Sequence, residues 1–198
     1  MKDCLLVFIA ICFVTCSVPN EKTVEYYDNG VPKTSGMMKN GLKQGKWIAF
    51  KESGDTLRVE HFKDGLKHGI LKVFYENADR LESTQQYLND TIGGMYQAWN
   101  KQGILLEESY KIKGGVYHGT AKTYFENGVL FRTEKWKNGV SFAVKSHHPN
   151  GEVALESIDL INGSVQAYDR LGNLKYSIQR KNGETIDTLF KAGRLPSP

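Results

Sequence analysis

A pattern of about 24 residues recurs along this chain, and it constrains the fold more than any single motif does. Lys39-Asn-Gly-Leu-Lys-Gln-Gly45 opens a unit that runs through Phe50, Gly54 and Leu57 to Phe62. Lys63-Asp-Gly-Leu-Lys-His-Gly69 restarts it, with Phe74 and Leu81 in the places of Phe50 and Leu57. Leu88-Asn-Asp-Thr-Ile-Gly-Gly94 starts a third copy, with Trp99, Gly103 and Leu106. Lys113-Gly-Gly-Val-Tyr-His-Gly119 starts a fourth, with Tyr124, Gly128 and Phe131. Looser copies begin at Lys137, Ile161 and Lys181. A regular repeat within 198 residues points to one continuous array, in which each unit touches its neighbours, rather than to two globular cores.

Each unit reads as a hairpin. Asn-Gly stands at 29–30, 40–41, 127–128, 138–139, 150–151, 162–163 and 182–183, with Asp64-Gly65 as a relative. Both residues tolerate the positive φ of a type I′ turn, so the pair marks a tight hairpin. Between turns lie short runs rich in aromatic and β-branched residues, such as Lys46–Phe50, Ile70–Tyr75, Met95–Trp99 and Thr120–Phe125. The return segments Leu57–Phe62, Leu81–Tyr87, Leu106–Tyr110 and Phe131–Trp136 alternate roughly between apolar and polar. The expected fold is all-β: an elongated, single-layer antiparallel meander of tandem β-hairpin repeats, about 60 Å long at about 4.8 Å per strand. Like side chains are expected to stack from unit to unit, with Phe50, Phe74, Trp99 and Tyr124 in one file and Leu57, Leu81, Leu106 and Phe131 in another.

The first sixteen residues differ in kind. Behind Lys2 comes an unbroken apolar run, Cys4–Val14, too short to span a bilayer as a helix but suited to a signal-peptide core. Its end, Phe13-Val-Thr-Cys16, resembles a bacterial lipobox, with Phe13 and Thr15 in place of the usual Leu and small residue. Cleavage before Cys16 would remove Cys4 and Cys12 and leave one thiol, and acylation is a reason for an exported chain to keep it. An ordinary secretory signal and an uncleaved anchor are the alternatives. The expected organisation is a signal peptide with a lipobox-like end over 1–16, a tether and degenerate first half-repeat over 17–38, the repeat array over 39–190 and a tail over 191–198. The expected location is the bacterial cell envelope, as a membrane-anchored lipoprotein, with a secreted or periplasmic protein as the alternative.

Chemistry-bearing patterns are sparse. The net charge of +4 is spread over every repeat beside Glu and Asp, with no basic block of the kind that binds nucleic acid. His68 and His118 hold one slot, just before the second glycine, where Gln44 and Gly93 stand in other copies, so the slot reads as a tolerant turn position. His147-His148 is the sole adjacent pair, and adjacent strand residues point to opposite faces, which disfavours joint metal ligation. Neither a phosphate loop ahead of a helix nor a nucleophile elbow is present. The chain therefore reads as a non-enzyme with no cofactor, no metal and no small-molecule substrate. Its candidate sites are Cys16 for lipid attachment and the aromatics Trp47, Tyr75, Tyr96, Trp99, Phe125 and Trp136 as a binding strip, against the plainer reading that they shield a thin sheet.

The spacing Gly41, Gly45, Phe50, Gly54, Leu57 resembles the MORN repeat in its bacterial variant form, and Gly115, Gly119, Tyr124, Gly128 matches nearly as well. Ala78 and Asp90 each replace a glycine in the middle copies, and Ala143 and Ala167 replace the second glycine in later ones. Tyr26-Tyr-Asp-Asn-Gly30 looks like a remnant of an earlier half-unit. Similar proteins are assigned to the YwqK-type antitoxin family, and MORN repeats elsewhere to membrane attachment and scaffolding. The resemblance implies a binding or scaffold protein with a protein partner and a membrane link through its lipid, or alternatively an antitoxin that neutralises a partner by binding it.

Overall fold

The computed structural model describes residues 19–76 and 79–190. The apolar leader with Cys16, residue Ala78 and the tail from Lys191 lie outside them. Seventeen strands follow one another: β1 (Glu21–Tyr26), β2 (Pro32–Lys39), β3 (Leu42–Phe50), β4 (Thr56–Lys63), β5 (Leu66–Lys67), β6 (Gly69–Phe74), β7 (Leu81–Leu88), β8 (Thr91–Trp99) and β9 (Leu105–Ile112). The second half continues with β10 (Val116–Tyr117), β11 (Gly119–Tyr124), β12 (Leu130–Lys137), β13 (Val140–His147), β14 (Val153–Ile158), β15 (Ser164–Tyr168), β16 (Leu174–Lys181) and β17 (Glu184–Phe190). Each pairs antiparallel with its chain neighbour. β5 and β6 share β4 as partner, and β10 and β11 share β9, so the sheet is a ladder of fifteen rungs. At about 4.8 Å a rung it extends roughly 67 Å. The expected all-β meander is what forms, and β1 already begins at Glu21, inside the stretch read as a tether.

The Asn-Gly pairs divide into two turn types on opposite rims. At Asn40-Gly41, Asn138-Gly139 and Asn182-Gly183 both φ angles are positive, as they are at Asp64-Gly65, Asn89-Asp90 and Gly114-Gly115. The two-residue loops among them are I′-like tips, as the sequence predicts, whereas Gly114-Gly115 belongs to a three-residue loop between Ile112 and Val116. At Gly30, Gly128 and Gly151 only the glycine is left-handed, and its N–H donates to the carbonyl three residues back (Tyr27, Phe125, His148). That is a type I turn closed by a glycine bulge, which forms the other rim. Neither Asn162 nor Gly163 has positive φ; Asp159 takes the left-handed position in that loop.

Like side chains do not stack on like. Successive copies lie two rungs apart, about 9.6 Å, beyond the 4.5–7 Å of aromatic contact. The pair partners of Phe50, Phe74, Trp99 and Tyr124 are Thr56, Leu81, Leu105 and Leu130. The expected aliphatic file is therefore displaced by one residue in three of four copies. Leu81 keeps its place because its turn is one residue longer: the Tyr75 N–H donates to Arg80 five residues on, whereas Lys51 donates to Asp55.

The second glycine of each unit opens a bulge. Gly45, Gly69, Gly94 and Gly119 all have positive φ, and there the later strand carries two residues more than its partner. Gly45–Trp47 face Gly36 alone, and Gly93–Met95 face Gln86 alone. The excess falls to one residue, Phe142, between β12 and β13 and to none between β14 and β15. Ala143 and Ala167 are thus not glycine replacements. Ala143 pairs with Lys135 beside the one-residue bulge at Phe142, and Ala167 pairs with Leu155 where there is no bulge, because the later units are shorter. Gly128, Gly151 and Gly172 stand only 23 and 21 residues apart.

Candidate binding surface of the ladder

Register assigns side chains to faces. On one face run Trp47 opposite Glu60, Leu71 opposite Gln85, Tyr96 opposite Ser109, and Ala121 opposite Glu134, with Glu134 in turn opposite Val144. This file is the nearest thing to a core: Trp47 is 5% exposed, and Glu60, Gln85, Ser109, Ala121 and Val144 are buried. The opposite face carries a polar file with Thr84, Gln97, Glu108, Lys122, Thr133, Lys145 and Glu156 in successive cross-strand register. Ion pairs cross it at Lys122–Glu108 (2.7 Å) and Lys145–Glu156 (3.3 Å).

None of the six candidate aromatics is exposed. The indole N–H of Trp47 donates to the Met37 carbonyl (3.1 Å), the Lys43 ammonium covers its ring at 4.3 Å, and Phe62 meets it edge-on. Tyr96 lies under Lys111 at 4.4 Å; burial, reinforced by the Glu107 and Glu82 carboxylates, pushes its phenol up. Trp136 stacks on Tyr117 at 5.0 Å, and Phe125 meets Phe131 at 5.0 Å with the rings tilted by 58°. The Tyr75 hydroxyl donates to the Trp99 carbonyl (2.6 Å), one repeat on. These rings hold rung to rung. Other apolar side chains are exposed, among them Ile70, Met95, Tyr110 and Ile158 on the polar-file face, and Leu42, Leu66, Leu88, Val116 and Val140 beside the tips. A weaker cue was there to read, since the residue right after four of the six tips (Leu42, Leu66, Val116, Val140) is aliphatic where a turn flank is usually polar.

Hydrogen bonds across repeats stitch both rims. At one, Tyr27 donates to the Phe50 carbonyl and Lys51 to that of Tyr75, each reaching the next unit. At the other, the N–H of Gly65, Asp90, Gly114, Gly139 and Gly183 donates back to the carbonyl of Lys43, Lys67, Ile92, Tyr117 and Ile161. The slot read as tolerant has a defined task here. Gln44 Oε1 accepts from the Asp64 N–H (2.7 Å), His118 Nδ1 from the Asn138 N–H (3.5 Å), and His68 Nδ1 lies 3.1 Å from Asn89 Oδ1. Gln44 and His118 interchange because either puts an acceptor at that point, whereas His68 reaches the Asn89 side chain, whose Oδ1 accepts from it. His148 lies just past the end of β13, where its ring bonds the Tyr168 carbonyl at 3.2 Å. Among the described residues no three His, Cys, Asp or Glu side chains come together as a metal site.

Glu60 is the most constrained charge. Burial alone would push its carboxyl up, but hydrogen bonds from Lys67 (2.9 Å) and Arg58 (3.1 Å) outweigh that and hold it below the usual carboxylate range. A depressed carboxyl stabilises the fold above its unfolded pKa and loses that contribution as pH falls through the folded value. Glu60→Gln is therefore expected to lower stability near neutral pH, with the gap to wild type closing in acid. Urea midpoints at several pH values measure it, and a gap unchanged in acid would refute the assignment.

Residues 117–138, from the end of β10 through the β11–β12 hairpin, match the MORN repeat variant family. Over this stretch the chain is similar to a MORN repeat variant. No curated protein matches the chain. The matched MORN segment contains one glycine bulge, at Gly119, and one type I turn, closed at Gly128, and the same two devices recur at Gly45 with Gly54 and at Gly94 with Gly103.

Proposed function

We propose that this MORN-repeat protein is a non-enzymatic binding or scaffold protein held at the bacterial cell envelope by a lipid on Cys16. The observation that carries the binding half is an open, one-layer ladder whose exposed apolar side chains, Ile70, Met95 and Tyr110, line up on one face beside mobile-length polar chains such as Gln86 and Lys135. A strip of this kind on a sheet with nothing packed over it favours contact with a partner protein. A photo-crosslinking residue in place of Met95 should give a discrete covalent adduct in cells, and one in place of Glu52 on the far rim should not. If Met95 gives no adduct, the reading fails. An antitoxin that neutralises its partner by binding is the special case in which that adduct is a toxin encoded alongside.

The anchoring half rests on the apolar run ending at Cys16. Metabolic labelling with a clickable fatty acid should mark the wild type and not Cys16→Ala, and an unlabelled wild type would remove the anchor. A second reading, contact with an anionic membrane surface, is favoured by the rim where exposed Leu42, Leu66, Val116 and Val140 stand next to exposed Lys39, Lys63, Lys113 and Lys137.

A further inference from the structure

The third repeat has a glycine in the slot where three other units place an acceptor for a backbone amide of the next tip. The bond it makes spans 20 residues wherever it forms to a backbone amide: Gln44 with Asp64, His118 with Asn138, and Asn162 Oδ1 with the Asn182 N–H at 2.9 Å. Gly93 holds the slot in the third unit, and the amide 20 residues on, Lys113, finds no acceptor among the described residues. A pocket of about 710 Å³ opens at this place, with Gly93 at its floor and Leu88, Tyr110 and Ile112 along its walls. The neighbouring His68 does not fill it, being turned to Asn89.

From this we infer that the Gly93 pocket is a binding site for a glutamate side chain presented by an extended segment of a partner protein. The inference rests on the protein-binding reading above and assigns it a recognition site. The slot's usual occupants set the chemistry, an acceptor atom on a short stem that reaches a backbone N–H. The apolar walls suit the methylenes of such a stem. Exposed Lys113 at the mouth selects a carboxylate over a neutral amide. Lys111 contributes backbone only, because its ammonium lies over Tyr96 and Tyr117 on the other face. The pocket can also be plugged without strain. Gly93 is not left-handed, and a Cβ there would meet the Lys111 carbonyl oxygen at 3.7 Å, an ordinary contact.

The test is an amide-shift titration of the full-length chain with two capped tripeptides, Ala-Glu-Ala and Ala-Ala-Ala. The glutamate peptide should move the Lys113 and Gly93 amides saturably and bind roughly tenfold tighter than the alanine peptide, the ratio one retained hydrogen bond supplies. Gly93→Gln, which installs the acceptor found at Gln44, should abolish the Lys113 response and leave Tm equal or higher. Equal response to both peptides, a still Lys113 amide, or an undiminished response in Gly93→Gln each overturns the assignment. If that variant does not fold, the two peptides on wild type decide. A Met95 adduct together with a silent pocket sinks this site alone, whereas a missing adduct sinks the protein-binding reading itself.

Discussion

Replacing Trp47 by alanine is expected to cost about 3–5 kcal/mol, the largest loss from any single side chain of the ladder. A one-layer sheet has little interior, and Trp47 is the largest of its buried side chains. Its removal takes away the ring packed on Gly36 and Phe62, the bond to the Met37 carbonyl and the ring under the Lys43 ammonium. Because the array sums nearest-neighbour terms, the damage should stay local. Hydrogen exchange is expected to report lost protection over β2–β4 while β12–β16 keep theirs. A urea-measured loss under about 1 kcal/mol, or protection lost evenly along the ladder, would contradict this account.

Gly36→Ala should be nearly as damaging, from the opposite side of the same contact. A Cβ on Gly36 would lie 2.1 Å from the Trp47 ring, and the ring is pinned by its own hydrogen bond. Overpacking of this sort costs about 1–3 kcal/mol. In a Trp47→Leu background the added methyl has room, so the cost of Gly36→Ala is expected to drop below about 1 kcal/mol. A double-mutant cycle by urea denaturation measures the coupling. Additive losses would mean that Gly36 is needed for its backbone rather than for the space it leaves.

Particular residues mark how far the sequence could be read. Strand existence and antiparallel order were legible because aromatic and β-branched runs alternate with Asn-Gly turns: Leu57–Phe62, for instance, falls inside β4 (Thr56–Lys63). Turn type was not legible from the dipeptide. Asn138-Gly139 and Asn127-Gly128 are identical as letters, yet the first takes two positive φ angles and the second one. Which turn forms depends on the register of the flanking strands. Whether the aromatic rings form a binding strip or shield the thin sheet was not legible for a related reason. Tyr75 and Trp136 look alike in a list of large rings, and only the register discloses that one hydroxyl is spent on the Trp99 carbonyl and the other ring lies flat on Tyr117. Cys16 lies outside the described residues, and its reading still rests on the sequence.

What the sequence by itself determined is the period, and with it the architecture. A unit of about 24 residues with a turn at each end can bury its strands only against the next unit, so a ladder follows from local chemistry alone. What the tertiary structure alone decided is which side chains the ladder keeps and which it presents. Two-residue bulges at Gly45, Gly69, Gly94 and Gly119 reset the pairing within each unit, and a side chain's partner across a strand is fixed by that count and not by its place in the repeat. For that reason Trp47 is covered while Met95 is open, and Gly93, one more turn glycine in the sequence, marks a pocket in the fold.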